Sequence, residues 1–333
     1  MAKRLVIQIP ALNESQTLPV TLAGLPTKIV GIDEIIIVVI DDGSSDDTGK
    51  LALENGADYV IRHTQNRGLS RAFMSGINFA LELGADIIVN TDADNQYPGR
   101  YITNLVTPIL EGKADVVIGD RQPASNTNFS PLKRLLEVLG SKVIAWMARV
   151  NTPDAPSGFR AYSRFAASRL QVHNTYSYTL ETLIQAGQER FAILHIPIET
   201  NPTARPSRLH KGMFNFIIRQ GTTIIRSYAL YRPLQTFGVL GIPFILVGLF
   251  FIFRFMYFYF TNNSGVGRYI QSVSLGGTAL LFGLILEIIG LLGEAIRVNQ
   301  RMLEDVLIRL KNSEPSNGDY SHDGLLIYKR QDE

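Results

Sequence analysis

The first two hundred or so residues alternate two kinds of hydrophobic pattern. Arg4-Leu5-Val6-Ile7-Gln8-Ile9 and the run from Glu34 to Ile40 are apolar and β-branched, and both stop at polar turn residues, which predicts strands. Further strands are predicted to end at Tyr59-Val60-Ile61, Ile87-Ile88-Val89 and Val116-Val117-Ile118. Between them, Leu69 to Leu83 sets small and apolar residues three and four apart, the spacing of a helix with one buried face. Strands alternating with helices predict an α/β fold, with a mostly parallel sheet covered on both faces. Ligands of such sheets bind at the carboxyl ends of the strands.

The pattern changes at Pro233. From there to Phe253, and again from Tyr269 to Leu286, the chain is uncharged and almost wholly apolar. Each run is long enough to cross ~30 Å of hydrocarbon at about 1.5 Å per residue. The link from Thr261 to Arg268 is short and polar, so the two predicted spans form a hairpin in a lipid bilayer. Arg205, Arg208, Lys211, Arg219, Arg226 and Arg232 precede it, and Arg297, Arg301, Arg309 and Lys311 follow it, whereas the link carries only Arg268. The positive-inside bias places both ends in the cytosol, which predicts a multi-pass protein of the plasma (bacterial inner) membrane. Arg254 and Glu287 fall near opposite faces of this hairpin and are expected not to pair.

Pro131 to Val150 and Met213 to Tyr231 are basic and amphipathic, as expected of helices lying in a membrane interface. The predicted organisation is a catalytic domain over 1–204, interfacial helices over 205–232, and spans at about 233–258 and 269–296 within 233–298. A C-terminal helix with a mobile polar tail is expected over 299–333. The amphipathic stretch from Val298 to Leu310 could pair with a copy of itself, an opening to a homo-oligomer.

Composition narrows the chemistry. Apolar residues make up 46% and charged residues 19%, a shift toward membrane composition. The net charge of +2 gives no case for nucleic acid as a partner. Cysteine is absent, which removes disulfides, thiolate metal sites and cysteine nucleophiles together. The N-terminal MAKRLVIQIP lacks a long apolar run and a cleavage site, and reads as a first strand instead of a signal peptide.

Acidic residues collect after three of the predicted strands: Glu14 after the first, Asp41 and Asp42 after the second, Asp92 and Asp94 after the fourth. Carboxylates there can accept from a base or ribose, or hold a hard divalent cation that bridges phosphates. Asp92 and Asp94 are two apart, so in an extended stretch they point the same way, and Gln96 continues the spacing with an amide oxygen.

The whole pattern resembles the family 2 glycosyltransferases of the GT-A fold. Within them it resembles the dolichyl-phosphate-mannose-synthase-like, polyisoprenyl-phosphate transferases, including bactoprenol glucosyltransferases. The matching segments are Pro10-Ala11-Leu12-Asn13-Glu14, Asp41 to Thr48, Asn66 to Ala72, Asp92-Ala93-Asp94-Asn95-Gln96, Gly119-Asp120-Arg121 and Ser157 to Tyr162. Ser70 stands where many relatives have a second glycine. The resemblance implies a Rossmann-like GT-A domain and transfer from a nucleoside-diphosphate sugar to a polyisoprenyl phosphate. It implies that Pro10, Glu14, Asp41, Asp42 and Asp92 form the nucleotide-sugar site. Asp92, Asp94 and Gln96 would hold Mg²⁺ or Mn²⁺, and Arg121, Arg134, Arg205, Arg208 and Lys211 would bind the acceptor phosphate or the leaving diphosphate. Asp94, Arg121 and Asp154 are the expected catalytic residues, with Asp154 either a base or an orienting group. Arg160 is a structural or a functional residue in equal measure. The best-matched substrates are UDP-glucose and undecaprenyl phosphate, with inversion.

Rival classes fare worse. A processive polysaccharide synthase of the same fold would carry a Q-x-x-R-W motif, and the single tryptophan, Trp146, lies in no such motif. A dead membrane scaffold has no reason to keep Asp92, Asp94 and Gln96. A nicotinamide enzyme would show G-x-G-x-x-G after the first strand, and none is there.

Overall fold

A computed structural model describes residues 2–123, 134, 140–142, 144, 145, 148–172, 178–202, 229, 232–261, 270–313 and 325–330. The chain divides into two compact units, Met1–Leu209 with Pro315–Glu333, and His210–Glu314.

In the first unit, β1 (Arg4–Ala11), β2 (Glu34–Asp41), β3 (Tyr59–His63) and β4 (Ile87–Asn90) alternate with α1 (Leu18–Ala23), α2 (Thr48–Glu54) and α3 (Leu69–Glu82). A 3-10 turn over Gly99–Tyr101 leads into α4 (Ile102–Leu110), followed by β5 (Val116–Asp120), β6 (Arg160–Ser163), α5 (Arg164–Ala167), α6 (Tyr178–Gln188) and β7 (Ile193–Pro197). Together with β8 (Leu325–Lys329) the strands form one sheet in the order β7-β5-β6-β4-β1-β2-β3-β8. β1 pairs in parallel with both β2 and β4, and β2 with β3. β6 runs antiparallel to β4 and β5, and β8 antiparallel to β3.

Alternate β1 residues explain the layering. Leu5, Ile7 and Ile9 are fully buried against Leu18 and Leu22 of α1 and Leu105 and Val106 of α4. α3, whose Phe73 and Ile77 are fully buried, packs on β1 and β2. A buried aliphatic side chain of this kind stabilises by about 1.5–3 kcal/mol, so both faces of the strand must be covered. After β1 the chain winds outward to β2 and β3, then returns over α3 to β4 on the other side of β1. The strand order therefore reverses between β1 and β4, which opens a crevice at their carboxyl ends.

Two expectations change. The tail is not uniformly polar and mobile: Leu325–Lys329 forms β8, which pairs residue for residue with Tyr59–His63. Leu325, Ile327 and Lys329 alternate with Leu326 and Tyr328, and an edge strand with unpaired amides accepts such a partner. The second predicted span and the C-terminal helix are one continuous helix.

In the second unit, α7 (Pro233–Thr261) packs against α8 (Ile270–Ser313), and both are long and apolar enough to cross a membrane. Glycines let the backbones touch. A Cβ at Gly248 would lie 2.7 Å from the Leu280 nitrogen and 2.8 Å from the Gly276 oxygen. Small residues at such seams are how helices associate when solvent is as apolar as their side chains. Glu287 sits beside Gly238 and Gly241, near the start of α7, while Arg254 lies well beyond Gly248, in accord with their expected separation. The interfacial helices predicted over 205–232 and the link after Thr261 lie outside the described residues, save Ala229 and Arg232.

Candidate active site

The loops after β1 and β2 are knitted together by polar side chains. Asn13, at a positive φ of 54°, donates its backbone N–H to Ser44 Oγ (2.9 Å) and accepts at Oδ1 from the Ser45 N–H (2.8 Å). The Glu14 N–H donates to Thr48 Oγ1 at 2.9 Å, and Glu14 Oε2 accepts from Thr17 Oγ1 at 2.7 Å. Pro10 lies in β1 opposite Ile40. Asp41 is fully buried: Oδ1 accepts from the Ser44 N–H at 2.8 Å, while Oδ2 has no hydrogen bond and sees Arg62 Nε at 3.6 Å. Asp42 is also buried: Oδ1 accepts from the Arg67 N–H at 2.9 Å and lies 2.6 Å from His63 Nδ1, and Oδ2 accepts from the Gly68 N–H at 2.9 Å. Asp42 thereby ties the end of β2 to the turn before α3.

Residues 92–96 are a turn, not the extended stretch expected. Asn95 adopts φ 57°, and Asp94 Oδ1 accepts from the Gln96 N–H at 3.0 Å. Asn201 clamps the turn from outside: its N–H donates to Gln96 O (3.0 Å) and its Nδ2 to Asn95 O (2.9 Å). Burial, and then the charges of Asp94 and Glu14, push the Asp92 carboxyl up to about 7 against the pull of Arg121. Carboxylates from the ends of β1 and β4 thus interact electrostatically in one crevice, with the Arg121 guanidinium opposing them.

Arg121 itself is held by Asp154. Asp154 Oδ2 accepts from the Arg121 N–H (2.9 Å) and Nε (2.8 Å), and Oδ1 accepts from a terminal guanidinium nitrogen at 2.7 Å. Both Asp154 oxygens accept from Arg121. Arg160, 1% exposed, donates to the carbonyls of Ser157, Ala155 and Thr179 and to Thr182 Oγ1. It ties the Asp154–Phe159 loop to α6, a structural task. Gly158 follows from close approach: a Cβ there would stand 2.7 Å from the Tyr178 hydroxyl and 3.4 Å from both Asp92 oxygens. Asn90 Nδ2 donates to Gly158 O (2.9 Å) and Tyr178 Oη (2.8 Å), locking this floor.

Arg134 is helical and half-buried, with Nε bonded to nothing among the described residues. Arg205, Arg208 and Lys211 lie outside the described residues. No three His, Cys, Asp or Glu side chains among the described residues form a metal-holding group. Asp94 repels the charged form of Asp92, and this half-buried crowding of carboxylates is what a hard divalent cation would relieve.

The sequence model of glycosyl transferase family 2 matches residues 6–171. An uncharacterized protein of Methanocaldococcus jannaschii is 33% identical over 199 residues, covering 58% of this chain and 80% of its own. The UDP-N-acetylglucosamine–dolichyl-phosphate N-acetylglucosaminyltransferase of Methanococcus voltae is 32% identical over 223 residues, covering 60% of this chain and 87% of its own. The chain belongs to glycosyl transferase family 2. An undecaprenyl-phosphate mannosyltransferase of Micrococcus luteus is also similar, at 31% identity over 165 residues, 48% of this chain and 66% of that one. Among solved structures, glucosyl-3-phosphoglycerate synthase of Mycobacterium tuberculosis, in complex with Mn²⁺, UDP and glucosyl-3-phosphoglycerate, superposes with a TM-score of 0.54 at 20% identity. It covers 69% of this chain and 80% of its own, a likeness of fold. This family 2 glycosyltransferase therefore has the expected GT-A-type sheet, followed by two apolar helices suited to membrane association.

Sequence reasoning passed over His63, Tyr178 and Asn201. His63 closes β3 at the same sheet edge as the acidic motifs, and that position was its signal. Tyr178 and Asn201 come from distant segments and carried none.

Proposed function

We propose that this glycosyltransferase moves a hexose from a nucleoside-diphosphate sugar to a polyisoprenyl phosphate at the cytosolic face of a membrane. The observation that carries the proposal is the crowding of Asp92, Asp94 and Glu14 around Arg121 at the β1/β4 crevice, in a chain with an apolar helical hairpin. The names of the relatives, transferases to dolichyl and undecaprenyl phosphate, support the acceptor class. A cytosolic orientation is supported by the basic residues that flank the hairpin, Arg226 and Arg232 before it and Arg297 and Arg301 after the second apolar run.

The Asp41 carboxylate, with one buried oxygen lacking a hydrogen bond, offers an acceptor to the nucleoside, and Glu14 lies alongside. An oxygen of the acceptor phosphate bonds to the anomeric carbon as the carbon–oxygen bond to the diphosphate breaks. The electron pair leaves on the nucleoside diphosphate, and single displacement inverts the centre. A phosphate dianion attacks without losing a proton, so no side chain need act as base, and Asp154 is left to aim Arg121 at developing negative charge. Asp92, Asp94 and Gln96 would hold Mg²⁺ or Mn²⁺, which would supply positive charge beside the departing diphosphate. Arg134, Arg205, Arg208 and Lys211 would supply the remaining positive charge for the acceptor.

The test is incubation of the purified protein with Mn²⁺, undecaprenyl phosphate and, in turn, radiolabelled UDP-glucose, UDP-N-acetylglucosamine and GDP-mannose. Label should enter the organic phase with one donor, UDP-glucose being the first expected. Label in long polymer alone, or in no product with any donor, overturns the assignment.

A further inference from the structure

Asp42 ties the end of β2 to the turn before α3, but a carboxylate buried at the end of a strand must itself be held. His63, fully buried, stands between Asp42 and Ser75, with Nδ1 2.6 Å from Asp42 Oδ1 and Nε2 3.0 Å from Ser75 Oγ. Facing a carboxylate, Nδ1 carries the proton it donates. The ring is thereby anchored at both nitrogens, to the end of β2 on one side and to α3 on the other. Asp42 in turn accepts from the N–H groups of Arg67 and Gly68, where the chain turns at φ 92° into α3.

The turn so fixed abuts the loop expected to cradle the nucleoside. A Cβ on Gly43, which sits at φ 74°, would lie 2.6 Å from the Gln65 carbonyl carbon and 2.7 Å from the Asn66 nitrogen. Any shift of residues 65–68 is therefore transmitted to Asp41–Ser44. We propose that His63 is a positioning residue for the donor: it fixes Asp42, and through it the 65–68 turn and the Asp41 loop, without touching substrate. The proposal rests on the function proposed above.

A merely structural histidine would lower stability and the active fraction, and leave affinities alone. A positioning one changes donor affinity in the folded protein. His63→Asn keeps a donor near the Nδ1 position, whereas His63→Leu keeps the volume and leaves Asp42 short of one charge-assisted bond. Calorimetric titration of the full chain with UDP and with GDP, each with Mn²⁺, reads the difference. His63→Leu should weaken nucleotide binding on the order of tenfold or more, with acceptor KM unchanged, and His63→Asn should restore it to within about threefold. Ser75→Ala, which frees the far nitrogen only, should fall between them, and it keeps the idea exposed if His63→Leu does not fold. Unweakened binding in His63→Leu or Ser75→Ala, or equal weakening in the Asn and Leu variants, overturns the positioning role while the function stands. Failure of the unaltered chain to bind either nucleotide overturns the function and this inference with it.

Discussion

Asp154→Asn separates the two roles that a carboxylate beside Arg121 can play. In the native site three N–H groups of Arg121 point at two Asp154 oxygens, within 2.7–2.9 Å, and the carboxylate is fully buried. Asparagine has the same shape but only one acceptor. Turned to place its oxygen at Oδ2 it keeps two of the bonds and sets its NH₂ against the guanidinium, losing one charge-assisted bond and the neutralising charge. A charge-assisted bond is worth about 1.5–3 kcal/mol, and unpairing a buried charge costs about 3–5 kcal/mol. The retained bonds put the expected loss near the lower end, about 3 kcal/mol. For a domain of this size that lowers Tm by roughly 6–12 °C. Thermal unfolding in detergent, followed by light scattering and tryptophan-independent dye binding, measures the shift; sugar transfer is assayed below the lowered Tm. Because Arg121, short of one bond, no longer keeps one aim, transfer should fall along with stability, and Asp154→Glu should fold yet transfer poorly. A variant with native Tm and transfer reduced more than about a thousandfold would refute the orienting role and restore Asp154 as a proton acceptor.

Three further outcomes follow from the same geometry. Asp94→Ala should abolish transfer while changing stability by less than about 1 kcal/mol, because a half-exposed loop carboxylate contributes little packing; retained turnover would remove Asp94 from the machinery. Asp92 is raised from 3.8 to about 7 in the folded chain, so its protonation supports the metal-free fold at low pH, and that support is lost as pH climbs through about 7. Mn²⁺ should therefore raise Tm more at pH 8 than at pH 6, and an equal rise at both would contradict the proton–metal competition. Gly248→Leu should separate α7 from α8, since even a Cβ would stand 2.7 Å from the Leu280 nitrogen; native-like detergent-resistant packing, read by crosslinking across the hairpin, would disprove that seam.

Local pattern alone was enough for the strand–helix alternation, the apolar hairpin and the gathering of acidic residues at one edge of the sheet. Strands and helices differ in period, a membrane demands a minimum apolar length, and carboxylates after successive parallel strands must share an edge. Those rules act over short stretches, and the chain obeys them. Tertiary structure decided the rest. Nothing near Leu325 says that it will pair with His63, because an edge strand accepts any extended partner and the pairing is between segments far apart in sequence. Asp154, by its place before the Ser157-Gly158-Phe159-Arg160 segment, suited a base or an orienting group equally, and only folding shows both its oxygens accepting from Arg121. Asp42 was expected to support the site beside Asp41, but that His63 and the Arg67 and Gly68 N–H groups would face it was not legible. In each case the side chain's chemistry was readable from its type. Whether a partner within the protein or a substrate would claim that chemistry depended on which distant groups the fold brought within about 3 Å.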